Sequence, residues 1–282
     1  MTKSTAVATK DQVKDESQLP AYLQGGEHQI QDDNFDSSDV VLPRIKLLQG
    51  ISPEVEQFDE AKSGLFWHTG MDIPLGESFK FVVADRRKKY LLAAPINDGQ
   101  GVLARADDAQ TWNTTGEWSV KLKDVKKPVT WTVTDLSVEK SGLTTWGTSN
   151  PDDPDSPPAA TLFYDYLVFL PDYPELGPAV VSLARSQIRA AKKGLNDKIK
   201  LHATNKRPMQ AVLFEAHSIN DSSDGQDFKN WSFRGAGFNQ DEALFNTARE
   251  HIGALASDDI RIQDEVAGET EKAPVDDGEG NY

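Results

Sequence analysis

The chain has 282 residues, no cysteine, a formal charge of −15 and a pI near 4.7. That length holds one large domain or two small ones around a real core, and the lack of cysteine excludes disulfides, thiolate metal sites and cysteine nucleophiles. No apolar run approaches the roughly 20 residues of a membrane span and no signal-peptide stretch opens the chain, so a soluble, cytoplasmic protein without a membrane partner is expected.

Residues 1–39 are polar, rich in Gln, Asp and Ser, and carry a net charge of −5. They read as a disordered N-terminal arm. The body is expected over 40–256, where the net charge is only −3. It opens at Val40-Val41-Leu42-Pro43-Arg44-Ile45-Lys46-Leu47, whose alternation fits a half-buried strand with a basic outer face. Phe79, Phe81 and Val83 alternate in the same way. The tetrapeptide Arg86-Arg87-Lys88-Lys89 then reads as a charged turn, followed by a further strand from Tyr90. Trp112 and Trp118 bracket the polar run Asn113 to Glu117, which reads as an exposed hairpin loop, and Lys121, Lys123, Lys126 and Lys127 follow. Val129 to Val133 alternates cleanly. Asn150 to Pro158 is a proline-stiffened exposed loop, and Leu162 to Leu170 a long aromatic strand, with a further strand at Ala179-Val180-Val181. Gln210 to Phe214 and Trp231 to Phe233 flank the hairpin signal Asp224-Gly225.

Two helices are predicted, over Ser182–His202 and Asp241–Leu255, the second capped by Asn239 or Asp241. Many strands separated by turns, with few helices, indicate a mainly β (α+β) fold. From Ser257 to Tyr282 nine acids stand against two bases, so this segment reads as a disordered acidic tail.

The most informative ordered element is the first helix. Ile188, Ala191, Leu195 and Ile199 form its core-facing stripe. One neighbouring flank presents Arg185, Arg189, Lys192, Lys193 and Lys200 without an acid. With Lys198, Lys206 and Arg207, residues 185–207 hold eight Lys/Arg against Asp197 alone. A solvated helix face reads this pattern equally well. In an otherwise acidic protein, however, basic clusters interleaved with aromatics suit a single nucleic-acid strand, because cations follow the phosphates while rings stack on bases. The phosphate contacts expected on this reading are Arg86, Arg87, Lys88, Lys89, Arg185, Arg189, Lys192, Lys193, Lys200, Lys206 and Arg207. The stacking candidates are Tyr90, Trp112 and Trp118.

Enzyme signals are weak. His28, His68, His202, His217 and His251 show no i, i+4 pairing, so no metal site is implied. Gly235-Ala236-Gly237 lacks the third glycine of a dinucleotide loop. Asn220 to Gly225 is a hairpin turn rather than a calcium loop, since Trp231 stands where glutamate belongs. No catalytic residue and no cofactor is expected.

The polar arm, the β-rich body with its basic helix, and the acidic tail ending in Tyr282 together resemble bacteriophage single-stranded DNA-binding proteins. The segments Leu42-Pro43-Arg44-Ile45-Lys46-Leu47-Leu48-Gln49 and Arg185-Ser186-Gln187-Ile188-Arg189-Ala190-Ala191-Lys192-Lys193 are similar to phage proteins from replication regions. The resemblance implies an OB-fold-like antiparallel barrel with one long basic helix and a C-terminal helix. It also implies a non-catalytic role in DNA replication or recombination. In that family the tail competes for the groove and recruits polymerase, helicase or primase, which here assigns Asp276, Asp277, Glu279 and Tyr282 to the tail tip. A homo-oligomer is compatible with the sequence. The rival readings are a virion or scaffolding protein and, more remotely, a metal-dependent nuclease.

Overall fold

Period-2 alternation carries most of this chain into strands, as a sheet with a buried face requires. The structure is a computed structural model, and it describes residues 41–95, 98–123, 125–223, 225–256 and 261–262. The expected arm at 1–39 and the tail tip lie outside these residues. In chain order the strands begin with β1 (Val41–Leu42), β2 (Ile45–Leu47), β3 (Phe66–His68), β4 (Ile73–Gly76) and β5 (Ser78–Ala93). β6 (Val102–Ala106), β7 (Gly116–Val120), β8 (Val129–Val133), β9 (Ala160–Phe169) and β10 (Ala179–Ala184) follow. The last are β11 (Val212–Ser223), β12 (Gln226–Phe238) and β13 (Arg261–Ile262). The helices are α1 (Pro53–Gln57), α2 (Val138–Ser141), α3 (Gln187–Ala191), α4 (Asp197–Thr204) and α5 (Glu242–Glu250), with a π-helical turn at Lys192–Asn196 joining α3 to α4.

The chain divides into two compact units, one holding the described residues up to Lys89 and from Leu162 to Ile262, the other those from Tyr90 to Thr161. The sequence reading had placed both within one 40–256 body. The fold is mainly β with antiparallel sheets, as expected. Strand pairings follow the open order β10-β9-β5-β11-β12, with β2-β3-β4 as a separate sheet, so the expected closed barrel is not seen among the described residues.

In the first unit one face of the long sheet, carrying Phe81, Tyr166, Leu183, Phe214 and Phe233, packs on Ala191, Leu195 and Ile199 of the helix. The other face, through Val82, Ala84, Leu167 and Val180, packs on Ala248 and Leu255. Asp241 caps α5, its carboxylate accepting from Leu244 N at 3.0 Å, which settles the choice between Asn239 and Asp241. β13 pairs in parallel with β1 and Ile262 is buried, so paired structure reaches past the boundary that composition placed at 256. The hairpin β11–β12 closes between Ser223 and Gln226, with Gly225 at φ 75°.

The basic tetrapeptide departs most from expectation. Arg86 to Lys89 is not a turn but the middle of β5, one strand of 16 residues. A plain period-2 template fails here because the alternation shifts phase at Ala84-Asp85. Phe81 and Val83 face the helix, whereas Asp85 accepts from Leu255 N at 3.0 Å on the opposite side. Beyond the shift the even-numbered cations face the helix side and the odd-numbered ones face inward.

The second unit is a smaller β module. β5 continues into it, pairing Tyr90–Ala93 with β6, and β7 pairs with β8 so that Trp118 lies opposite Trp131. Trp112 is 1% exposed and belongs to its core with Leu92, Val120 and Val133. The expected polar hairpin loop is thus partly a strand, and Trp112 is a core residue rather than a stacking surface.

Candidate nucleic-acid interface

A strand followed by a docked helix positions the basic residues. Ser182 to Ala184 belong to β10, so helix begins at Gln187 rather than at Ser182. Arg185 occupies the junction with φ 53°. At the far end Lys206 N donates to Ala203 O at 2.9 Å and Arg207 N to His202 O at 2.9 Å, a helix-ending pattern that places Lys206 in left-handed backbone, at φ 57°. Glycine is the easier residue in that region, by roughly 1–2 kcal/mol. Both ends of the helix therefore hold an exposed cation in a conformation that costs stability.

The helix lies close to β12 because Gly194 has no side chain. A Cβ there would stand 2.6 Å from Phe233 Cβ. The π turn inserts one extra residue into the helical repeat, and the basic flank that the helical wheel drew as one arc is divided between two grooves.

The first groove, about 480 Å³, is lined by Arg86, Lys88, Tyr164, Tyr166, Asn196 and Lys200, among others. Asn196 Oδ1 accepts from Arg86 Nη1 at 3.1 Å and from Tyr166 OH at 3.1 Å, joining strand and helix across the groove floor. Lys88 Nζ sits 5.4 Å from the centre of the Tyr164 ring. Burial pushes the Tyr166 phenol up from its ordinary value, so it remains a neutral donor. One acid, Asp197, also lines this groove.

The second groove, about 390 Å³, presents Arg189, Lys193 and Lys198 above Trp231 and Phe233. Its acid is Asp221, which accepts from Asn230 Nδ2 at 2.8 Å. That bond and the bond from Ser222 N, with help from the nearby Arg189 charge, hold the Asp221 carboxyl below its ordinary value.

Two expected phosphate ligands turn inward instead. Lys89 is 2% exposed, and its Nζ lies 2.9 Å from Asp165 Oδ2. Arg87 Nε lies 3.1 Å from the same oxygen and its Nη1 donates to Leu255 O at 2.8 Å, while Ser182 Oγ donates to Asp165 Oδ1. Burial alone would raise the Asp165 carboxyl; the charges of Lys89 and Arg87 and the Ser182 bond outweigh it, and the net direction is down. Lys89 is thus a buried structural counter-ion rather than a phosphate contact, a correction imposed by its place on a two-faced strand, whereas Arg87 still lines the first groove but has its guanidinium committed to Asp165 and Leu255 O.

The remaining candidates separate. Lys192, Lys206 and Arg207 are exposed, and Arg207 lies 5.1 Å above the Phe238 ring. Tyr90 and Trp118 are half-buried against the core of the second unit, which also holds the buried Trp112, and neither lines a groove. Sequence reasoning missed Tyr164, Tyr166, Asn196 and Phe238. The first two were legible as alternate positions on β9, one either side of Asp165. Asn196 was not, because its role depends on the π turn.

Among the described residues, no group of three or more His, Asp or Glu side chains is placed to hold a metal ion, and no helix is long and apolar enough to cross a membrane. No curated protein and no solved structure shows a match to the chain. Its similarity is to a family of phage proteins, and the match runs over residues 13–261. That span includes β1 to β12 and every basic residue of both grooves, so the chain belongs to the Pam3 phage gp34-like protein family.

Proposed function

We propose that this phage protein binds single-stranded DNA without catalysis, in support of replication or recombination. The observation that carries the reading is the first groove. Arg86, Lys88 and Lys200 come from two distant segments to one trough whose floor is made of tyrosines. Phosphates pair with the cations, and the narrow, aromatic-floored shape suits an unpaired strand better than a duplex. Arg189, Lys192 and Lys193 extend the positive surface along the helix. The acidic tip with Asp276, Asp277, Glu279 and Tyr282 competes with DNA for the trough and recruits a replication partner such as polymerase, helicase or primase, as the family resemblance implies.

The test is a gel-shift series with a labelled single strand and its duplex, with and without Mg²⁺. The reading expects retention of the single strand, weakening with salt by a log–log slope of about 0.7 per neutralised phosphate. Indifference to single strands at moderate salt would overturn it in favour of a virion or scaffolding role, and Mg²⁺-dependent degradation in favour of a nuclease. Truncation after Ile262, which preserves β13, is expected to tighten binding.

A further inference from the structure

The second unit carries an exposed tryptophan whose position the core does not explain. Trp146 is 71% exposed, yet the loop that presents it is braced on both sides. Gly147 N donates to Ser156 O at 2.7 Å, Ser149 N to Pro157 O at 3.1 Å, and Ser156 N to Asp153 O at 3.0 Å. Trp131 Nε1 donates to Ser149 O at 3.1 Å, and Ala159 N to Thr148 Oγ1 at 3.0 Å. Gly147, at φ 83°, lies against Pro154, where a Cβ would stand 3.1 Å from its carbonyl oxygen. An indole held out on a rigid loop loses little entropy on binding, which is the property of an interface anchor.

The loop's charge excludes a nucleic-acid strand as its partner. Asp152, Asp153 and Asp155 are all exposed beside this brace and would repel phosphates. An apolar ring with an anionic rim calls for the opposite surface, an aromatic floor with a cationic rim. The second groove of the first unit has that form. Trp231 and Phe233 line it, Arg189, Lys193 and Lys198 outnumber the single acid Asp221 above them, and Ile219 is left 43% exposed at its edge.

We propose that the Trp146 loop of one copy docks into the Arg189/Lys193 groove of a second copy. The contact is heterologous, loop to groove, and therefore propagates head to tail unless it closes into a ring. It occupies Arg189 and Lys193, which the nucleic-acid reading also uses, but does not rest on that reading, since it is measured with no DNA present.

Sedimentation velocity of the full chain, freed of nucleic acid, over a concentration series at low and high salt tests it. The expected result is a mass that rises with concentration at low salt and falls back at high salt. Trp146→Ala should weaken the association about 30-fold or more, as loss of a buried aromatic anchor does. A charge exchange separates this docking from general stickiness. Arg189→Glu/Lys193→Glu and Asp152→Lys/Asp153→Lys should each be monomeric alone, because loop and groove then carry like charges, and should associate when mixed. A wild-type chain that stays monomeric at low salt, a Trp146→Ala chain that associates as strongly as wild type, or a mixture of the charge variants that remains monomeric would each overturn the proposal.

Discussion

Arg86 and Lys88, on one face of β5, differ from Arg87 and Lys89 on the other only in strand parity, yet the two pairs do opposite work. The outward pair lines an open groove with Tyr164, Tyr166 and Lys200. The inward pair closes on Asp165, a carboxylate with no exposure at all. Four consecutive cations thus give one open groove and one structural lock. In a strand, the chemistry of a charge cluster is decided by which residues share a face, not by how many charges adjoin.

Breaking the lock has the largest expected effect. Asp165→Asn removes the buried charge that Lys89 and Arg87 share, and loss of one partner of a buried pair costs about 3–5 kcal/mol. Denaturant unfolding should show that loss, whereas Arg86→Ala and Lys88→Ala should shift stability by no more than about 0.5 kcal/mol. The lock also sets a pH dependence. Asp165 has its carboxyl held below the ordinary value in the folded chain, so its contribution is complete above the unfolded carboxylate range and is lost as pH falls through the folded value. The melting temperature should therefore fall in acid, and Asp165→Asn should flatten that acid limb.

Next comes the seating of the helix that forms both grooves. Gly194→Ala places a Cβ 2.6 Å from Phe233 Cβ and should destabilise by about 1–3 kcal/mol through overpacking. Smaller still, Lys206→Gly relieves the left-handed backbone and should raise stability by about 1 kcal/mol. Because Lys206 lines neither groove, the melting temperature should rise with single-strand affinity unchanged, and a loss of affinity would return Lys206 to the interface expected from sequence.

Much of this was legible in the sequence. The clean alternation of Val129 to Val133, the Asp224-Gly225 hairpin signal, the Asp241 cap and the Ala191/Leu195/Ile199 stripe all depend on neighbours within a few residues. What was not legible depends on partners far along the chain. Lys89 is buried because Asp165 meets it from β9, 76 positions later. Trp112 is buried because its peptide N–H reaches Leu136 O at 2.6 Å and its ring enters the core of the second unit. The π turn at Lys192–Asn196 carries no compositional mark, although it decides which cations look into which groove.

The central claim is that the outward face of β5 and the helix form one phosphate-binding trough. Fluorescence anisotropy of a labelled single strand, titrated across salt for wild type and for Arg86→Ala/Lys88→Ala/Lys200→Ala, tests it directly. The account predicts weaker binding and a log–log salt slope shallower by about 2, near 0.7 for each of three lost phosphate contacts, with the fold intact. An unchanged slope and affinity in a folded triple variant would contradict it.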